Sequence, residues 1–183
     1  MKNNRLILNQ TQIDLTIQRL CYQLIENHDF FQNSVILGLQ PRGVFVAERI
    51  VAQLKTIFPE INIPYGTLDA TFFRDDFRRR SNPLIPNKTK IEFIIENKKV
   101  ILIDDVLYTG RTIRAGLDAM LAYGRPDLVE LLVLVDRRYS RHLPIEPNYV
   151  GVTVDSVTSE RVEVNWENAE GKNQVILKAN TKI

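Results

Sequence analysis

The sequence predicts an α/β protein built on a doubly wound, mostly parallel sheet with helices on both faces and a small antiparallel hood. Three observations predict it. The runs 100–103 and 128–135 are almost continuously apolar, as strands buried on both faces by covering helices must be. Stretches with helical spacing of apolar residues alternate with these short runs, the pattern that produces a parallel sheet. After Asp136 the rhythm changes to short segments at 149–154, 161–166 and 174–177, which read as antiparallel strands of a flap.

In order along the chain, residues 11–26 carry Ile13, Ile17, Leu20, Cys21, Leu24 and Ile25 on one face, with Thr11 and Asp14 as a capping-box-like start. A short buried strand follows at 35–37, then a turn over 38–43. A second helix is marked by Ala47, Ile50, Val51 and Leu54 and ends near Pro59. Residues 61–70 are rich in β-branched and aromatic side chains and read as a strand. The charged, proline-punctuated stretch 74–90 reads as a long loop, a length that in compact domains usually belongs to a lid or to disorder. After the strand at 100–103 comes a polar turn at 104–111. A helix then places Ile113, Leu117, Met120 and Leu121 on one face and ends near Gly124.

A length of 183 residues suits one domain, 1–183, that hides roughly 70% of the surface of its unfolded chain. Apolar residues make up 44% and charged residues 25%, which excludes a disordered chain. The lone Cys21 excludes an internal disulfide, and its place in an apolar stripe makes it a packed thiol. The apolar stretch Leu6, Ile7, Leu8 is too short for a signal peptide, and no run reaches the roughly 18 to 20 apolar residues that span a bilayer. The expectation is a cytoplasmic protein without a membrane partner. A net charge of +2 does not by itself point to nucleic acid. Neither His28 nor His142 has a spacing partner for a metal site or a catalytic triad.

The residues that carry chemistry sit after the strand at 100–103, where ligands of open α/β sheets bind. Asp104 and Asp105 are adjacent acceptors suited to vicinal hydroxyls. Thr109, Gly110 and Thr112 bring hydroxyls and backbone N–H groups to a helix N-terminus, where the dipole favours a phosphate. An isolated Asp-Asp pair would more often cap a helix. Here the pair stands within a longer string, four apolar residues, two acids, then Thr-Gly-Arg-Thr. Residues 100–112 thus resemble the phosphoribosyl diphosphate signature of the type I phosphoribosyltransferases. Arg114-Ala115-Gly116, Gly124-Arg125-Pro126, Leu134-Val135-Asp136-Arg137, Gly38-Leu39-Gln40-Pro41-Arg42-Gly43 and Phe73-Arg74-Asp75-Asp76 extend the likeness. Together they are similar to the PyrR family of bifunctional pyrimidine-operon attenuators and uracil phosphoribosyltransferases, over about residues 6–165.

The resemblance implies a type I phosphoribosyltransferase fold, 5-phosphoribosyl 1-diphosphate and uracil as substrates, and UMP and pyrophosphate as products. It implies Mg²⁺ carried by the substrate diphosphate rather than by a dedicated metal site, and a homodimer. Tyr108, Thr109, Gly110, Arg111 and Thr112 would hold the 5-phosphate, and Asp104 and Asp105 the ribose hydroxyls, with Asp105 also a candidate base. Pro41, Arg42, Gly43 and the lid residue Arg74 would face the pyrophosphate, and Asp136 and Arg137 the base. Catalysis would rest on Asp104, Asp105 and Arg42, charges aimed at the two ends of the breaking bond, with the lid excluding water.

The sequence departs from the family at Pro41, where Thr is usual and where proline offers no backbone N–H. It departs again at Glu146 and Val152, positions that tend to be basic in members that bind leader RNA. On the first helix Gln18, Arg19 and Tyr22 form only a modest footprint for RNA. Phosphate contacts dominate such affinity, so UMP-sensing attenuation on pyrimidine-operon leader RNA is the alternative and the enzyme the first expectation. A phosphoribosyltransferase for another base, or a catalytically silent nucleotide sensor, is the third.

Overall fold

The computed structural model describes residues 4–75, 85–156 and 159–179. Its centre is a five-stranded, all-parallel sheet of β2 (Ser34–Leu39), β3 (Tyr65–Leu68), β4 (Lys99–Leu107), β5 (Leu128–Arg138) and β6 (Tyr149–Asp155), in the order β3-β2-β4-β5-β6. Helices α1 (Gln10–His28) and α2 (Gly43–Ile57) cover one face, packing Ile13, Ile17, Leu20 and Ile50 against Ile36, Ile101, Leu132 and Leu134. Helix α3 (Arg111–Met120) covers the other, with Ile113, Ala115 and Met120 on Leu37, Leu102, Leu131 and Val133. Successive residues of a strand point to opposite faces, which is why these strands are apolar without alternation.

A second, antiparallel sheet joins β1 (Arg5–Leu8), β8 (Gln174–Ala179) and β7 (Glu160–Asn165) in the order β1-β8-β7, with the single-turn helix α4 (Glu167–Glu170) between β7 and β8. This is the hood. The expected doubly wound sheet with a small antiparallel addition is therefore present.

Several details differ from the sequence reading. The pattern of residues 149–154 suggests a strand of the antiparallel flap, yet β6 pairs in parallel with β5, Val133 opposite Val150 and Val135 opposite Val152. The third hood strand is instead β1, formed from the short apolar stretch near the chain start. Strand β4 does not stop at Ile103 but stays in register with β5 as far as Leu107 opposite Asp136. Helix α1 is capped by Asn9, whose side chain accepts from Gln12 N while Gln12 answers to Asn9 N, both at 2.9 Å, so the box lies two residues ahead of the Thr11–Asp14 pair. The strand expected over 61–70 is confined to Tyr65–Leu68. Of the loop expected over 74–90, residues 76–84, including Asp76, lie outside the described residues, and Lys90 pairs back to Thr67.

Cys21 is fully buried, and burial pushes its thiol up to about 12. His28 is a core residue whose ring nitrogens meet Ser34 Oγ at 2.8 Å and Glu130 Oε2 at 2.8 Å. Among the described residues no helix is long and apolar enough to cross a membrane. Because every strand of the main sheet runs the same way, the carboxyl ends of β2, β3, β4 and β5 meet at one pole, which positions the site.

Candidate functional site

At this pole two clefts flank the end of β4. The first, about 680 Å³, is lined by Arg74, Asp75, Asp104 and residues 106–113. The second, about 460 Å³, lies under the hood and is lined by Arg42, Asp105, residues 161–165 and Glu170, with Val106 shared between the two. Since β4 remains a strand through this region, its consecutive side chains alternate. Asp104 therefore lines the first cleft and Asp105 the second.

The first cleft is organised by the turn into α3. Gly110, at φ 87°, takes the N-cap position in a left-handed conformation that glycine adopts without strain, and no side chain caps the helix there. Thr109 Oγ1 accepts a long 3.4 Å bond from Arg111 N. The first turn of α3 thus aims backbone N–H groups and the positive end of its dipole at the cleft, an arrangement suited to a phosphate. Arg74 adds a cation, its Nη1 donating to Thr112 Oγ1 at 3.2 Å, and Arg111 pairs with Asp75. The segment after β5 fixes the outer wall. Arg141 donates to Tyr108 O at 2.5 Å and pairs with Asp136, while His142 N donates to Thr109 O at 3.0 Å.

Asp104 is 7% exposed, and burial, reinforced by the charge of Asp105, holds its carboxyl well above the usual carboxylate range. Burial also raises Asp105, against the lowering pull of Arg42. Their oxygens accept from the chain itself, Asp104 Oδ1 from Asp105 N at 2.9 Å and Asp105 Oδ1 from Val106 N at 2.7 Å. These bonds use one oxygen of each acid, and the second oxygen of Asp105 faces Arg42.

In the second cleft Arg42, the N-cap residue of α2, spans from sheet to hood. Its Nε reaches Asp105 Oδ2 at 3.5 Å, Nη1 reaches Glu170 Oε1 at 2.7 Å, and Nη2 donates to the carbonyl of Val164. Burial pulls its pKa down, but the Glu170 and Asp105 carboxylates outweigh that and raise it. Glu170 is itself held, accepting from Trp166 N at 2.7 Å. The Gln40–Pro41 peptide ahead of Arg42 is cis. At Gly43 a Cβ would stand 2.3 Å from Ile103 O, so only glycine lets α2 start this close to β4.

The structure brings Asp104, Tyr108, Thr109, Gly110, Arg111, Thr112 and Arg74 to one cleft, and Arg42 with Asp105 to the other. Asp136 and Arg137 do not share a face. Asp136 turns to Arg141, whereas Arg137 is buried, donates to Ser156 Oγ and Glu160 O at 2.9 Å each, and lies 4.0 Å over the Tyr108 ring. Sequence reasoning missed Glu170, Val164, Arg161 and Asn165 of the hood and the Arg141 clasp. Glu170 is 128 residues from Arg42, and no local spacing signals such a pair. Of the RNA footprint, Arg19 donates to Val150 O at 2.9 Å and Gly151 O at 2.6 Å, and Val152 packs against the core.

Among the described residues no group of three His, Cys, Asp or Glu side chains gathers as a metal site. Asp104 in the phosphate-suited first cleft and Asp105 in the second each fit Mg²⁺ as a single acid ligand, since the ion keeps much of its water and is held by one or two acids together with substrate phosphates.

Residues 5–168 match the phosphoribosyl transferase domain family. The chain is 40% identical over 173 residues to the bifunctional protein PyrR of Haemophilus ducreyi, covering 94% of this chain and 96% of that one. It is 41% identical over 171 residues to the bifunctional protein PyrR of Acetivibrio thermocellus, covering 93% and 92%. Among solved structures, the hypoxanthine phosphoribosyltransferase of Trypanosoma cruzi superposes with a TM-score of 0.72 over 96% of each chain at 11% identity, a likeness of fold alone.

Proposed function

Since the chain belongs to the phosphoribosyltransferase family and, within it, to the PyrR proteins, we propose that it converts uracil and 5-phosphoribosyl 1-diphosphate to UMP and pyrophosphate. The observation that carries this reading is the uncapped N-terminus of α3 opening beside the buried Asp104. It offers a phosphate site and a hydroxyl-binding acid within one cleft.

On this reading Thr109, Gly110, Arg111 and Thr112 hold the 5-phosphate, with Tyr108 shaping the wall. Asp104 and Asp105 engage the ribose side, where positive charge builds as the glycosidic bond to the leaving group breaks. Arg74, expected at the pyrophosphate from the sequence, donates to Thr112 in the first cleft and serves the 5-phosphate, whereas Arg42, on the Pro41–Gly43 turn, neutralises the departing pyrophosphate. Mg²⁺, brought in on the diphosphate and steadied by the aspartates, supplies further charge neutralisation there when bound. Base recognition falls to the end of β5, where the buried Arg137 acts through the Tyr108 ring it lies over, a wall of the first cleft, and Asp136 acts through Arg141.

Incubation with Mg²⁺, phosphoribosyl diphosphate and each of uracil, hypoxanthine and guanine tests this directly. UMP is the expected nucleotide, and a purine nucleotide in its place would overturn the base assignment. Arg42→Ala should lower kcat/KM by about 10²–10³-fold, the effect of removing one preorganised donor; unchanged activity would remove Arg42 from the site. Leader-RNA attenuation is the second reading, supported by the bifunctional relatives. It ranks second because the guanidinium of Arg19 is committed to backbone carbonyls, which subtracts a phosphate contact. A salt-dependent gel shift on such RNA, strengthened by UMP, would reverse that order.

A further inference from the structure

Asp69 stands immediately after β3, at the same pole as the two clefts, but lines neither of them. Its carboxylate gathers donors from two separated stretches of chain. Oδ1 accepts from Thr71 N at 2.7 Å, while Oδ2 accepts from Thr71 Oγ1 at 3.1 Å, Asn87 N at 2.8 Å and Asn87 Nδ2 at 3.3 Å. Its own N–H donates to Thr89 Oγ1 at 2.9 Å. A carboxylate that accepts four hydrogen bonds is a strong fastening, since bonds to a charged acceptor are roughly twice as strong as neutral ones. This fastening ties residue 71 to residue 87, 18 positions beyond Asp69 itself.

The helical turn Thr71–Phe73 begins at the Asp69 clasp and ends at Arg74, whose guanidinium reaches Thr112. The far end of the turn is held as well, by Arg114 donating to Phe73 O at 3.2 Å and by Arg111 on Asp75. Residues 71–75 therefore bridge from the Asp69 carboxylate to the first turn of α3. The charge of Arg74 is also felt at Asp104, whose acidity it strengthens.

We propose that Asp69 is a positioning residue for phosphoribosyl diphosphate: it fixes the turn at 71–73 so that Arg74 is held over the phosphate-suited N-terminus of α3. This rests on the proposed function, in which the first cleft takes the substrate's phosphate. Asp69 touches no substrate on this account, so its loss acts only through where Arg74 stands.

Calorimetric titration of the full chain with Mg²⁺ and phosphoribosyl diphosphate, without any base, tests the proposal. Four proteins are compared: wild type, Asp69→Asn, Arg74→Ala and the double variant. Asparagine keeps an acceptor for Thr71 N but loses the charge and sets an amide against the Asn87 donors. Asp69→Asn should weaken binding by about tenfold, the size of a charge-assisted hydrogen bond, and Arg74→Ala by at least as much. The double variant should bind no more weakly than Arg74→Ala alone, because the two changes remove one and the same contribution. Thr71→Val, which removes only the 3.1 Å hydroxyl bond, carries the same comparison should Asp69→Asn fail to fold; its smaller loss should vanish in the Arg74→Ala background.

Losses that add in the double variant, or an Asp69→Asn protein that binds as wild type does, would overturn the inference and leave the proposed function standing. A wild-type chain that does not bind phosphoribosyl diphosphate would sink the proposed function and this inference with it.

Discussion

Across the end of β4 the two clefts treat charge differently. Over α3 the chain leaves a helix N-terminus without a side-chain cap, so an incoming anion meets donors that are waiting for it. Under the hood each of the three nitrogens of the Arg42 guanidinium already has an acceptor, from Asp105, Glu170 and Val164. A ligand of the first cleft completes an unfinished set of hydrogen bonds. One in the second must exchange with partners in place. The difference implies that the first cleft supplies affinity, while the second sets how much rearrangement binding requires.

Gly110 lines the first cleft and Gly43 follows Arg42 of the second, and the largest expected effect separates them. At Gly43 an added Cβ would lie 2.3 Å from Ile103 O and 2.8 Å from Asp104 Cα, both backbone atoms of β4 that cannot move aside alone. Gly43→Ala should cost more than about 4 kcal/mol in chemical denaturation, the range reserved for severe overpacking or strain. Gly110→Ala meets nothing closer than Ile145 Cδ1 at 3.3 Å, so its cost is the left-handed backbone, about 1–2 kcal/mol. Equal losses would break the contrast between the close approach of α2 to β4 beside Arg42 and the roomier turn at Gly110.

The same contrast explains what the sequence disclosed. The first cleft is nearly contiguous in the chain, Asp104 to Thr112 with Arg74 added, so strand end, turn chemistry and helix start can be read together. The sheet is legible for a similar reason, because burial on both faces leaves an unbroken apolar run. The second cleft is assembled from residues 42, 105–106, and 161–165 with 170, and no local spacing encodes a meeting of three distant segments. The direction of β6 is hidden on related grounds. Its residues Tyr149 and Val154 are buried, while Thr153 and Asp155 are exposed, and this edge-strand mixture resembles an antiparallel pattern. Only the pairing with β5 reveals its direction. Asn9 is overshadowed as a cap because Thr11 offers a nearer match to the same capping signal.

A smaller effect, with a sign set by pH, comes from Asp104. Its carboxyl is held above its ordinary range by burial and by Asp105, so the folded state retains the proton more readily than the unfolded chain. Such a group favours the fold below the unfolded value of about 3.9 and disfavours it as pH rises through the raised folded value. Asp104→Asn keeps an acceptor for Asp105 N and removes the charge. It should therefore stabilise the protein at pH 7.5 by about 0.5–2 kcal/mol, with the gain shrinking toward pH 4, while phosphoribosyl transfer falls sharply. Thermal unfolding at the two pH values decides the matter, and a variant less stable than wild type at pH 7.5 would show that the acid is held by partners rather than strained by burial.

The smallest effect on stability falls at Glu170 and bears most directly on the second cleft. The Arg42–Glu170 pair is about one-third exposed on both sides, so screening limits its worth to about 1 kcal/mol or less. Glu170→Gln keeps one acceptor oxygen, which can serve Trp166 N, and turns its amide NH2 toward Arg42, so it gives up the ion pair and should lower stability by no more than about 1 kcal/mol. Its consequence for substrate is electrostatic. A diphosphate approaching Arg42 meets a carboxylate competing for the same donors, and neutralising that carboxylate removes both the competition and the repulsion. The KM for phosphoribosyl diphosphate should fall by about two- to fivefold, the equivalent of an exposed ion pair, with kcat little altered and the KM for uracil unmoved. A rise in that KM would mean that Glu170 holds Arg42 ready for the diphosphate instead of contending with it, and the exchange assigned to the second cleft would not take place.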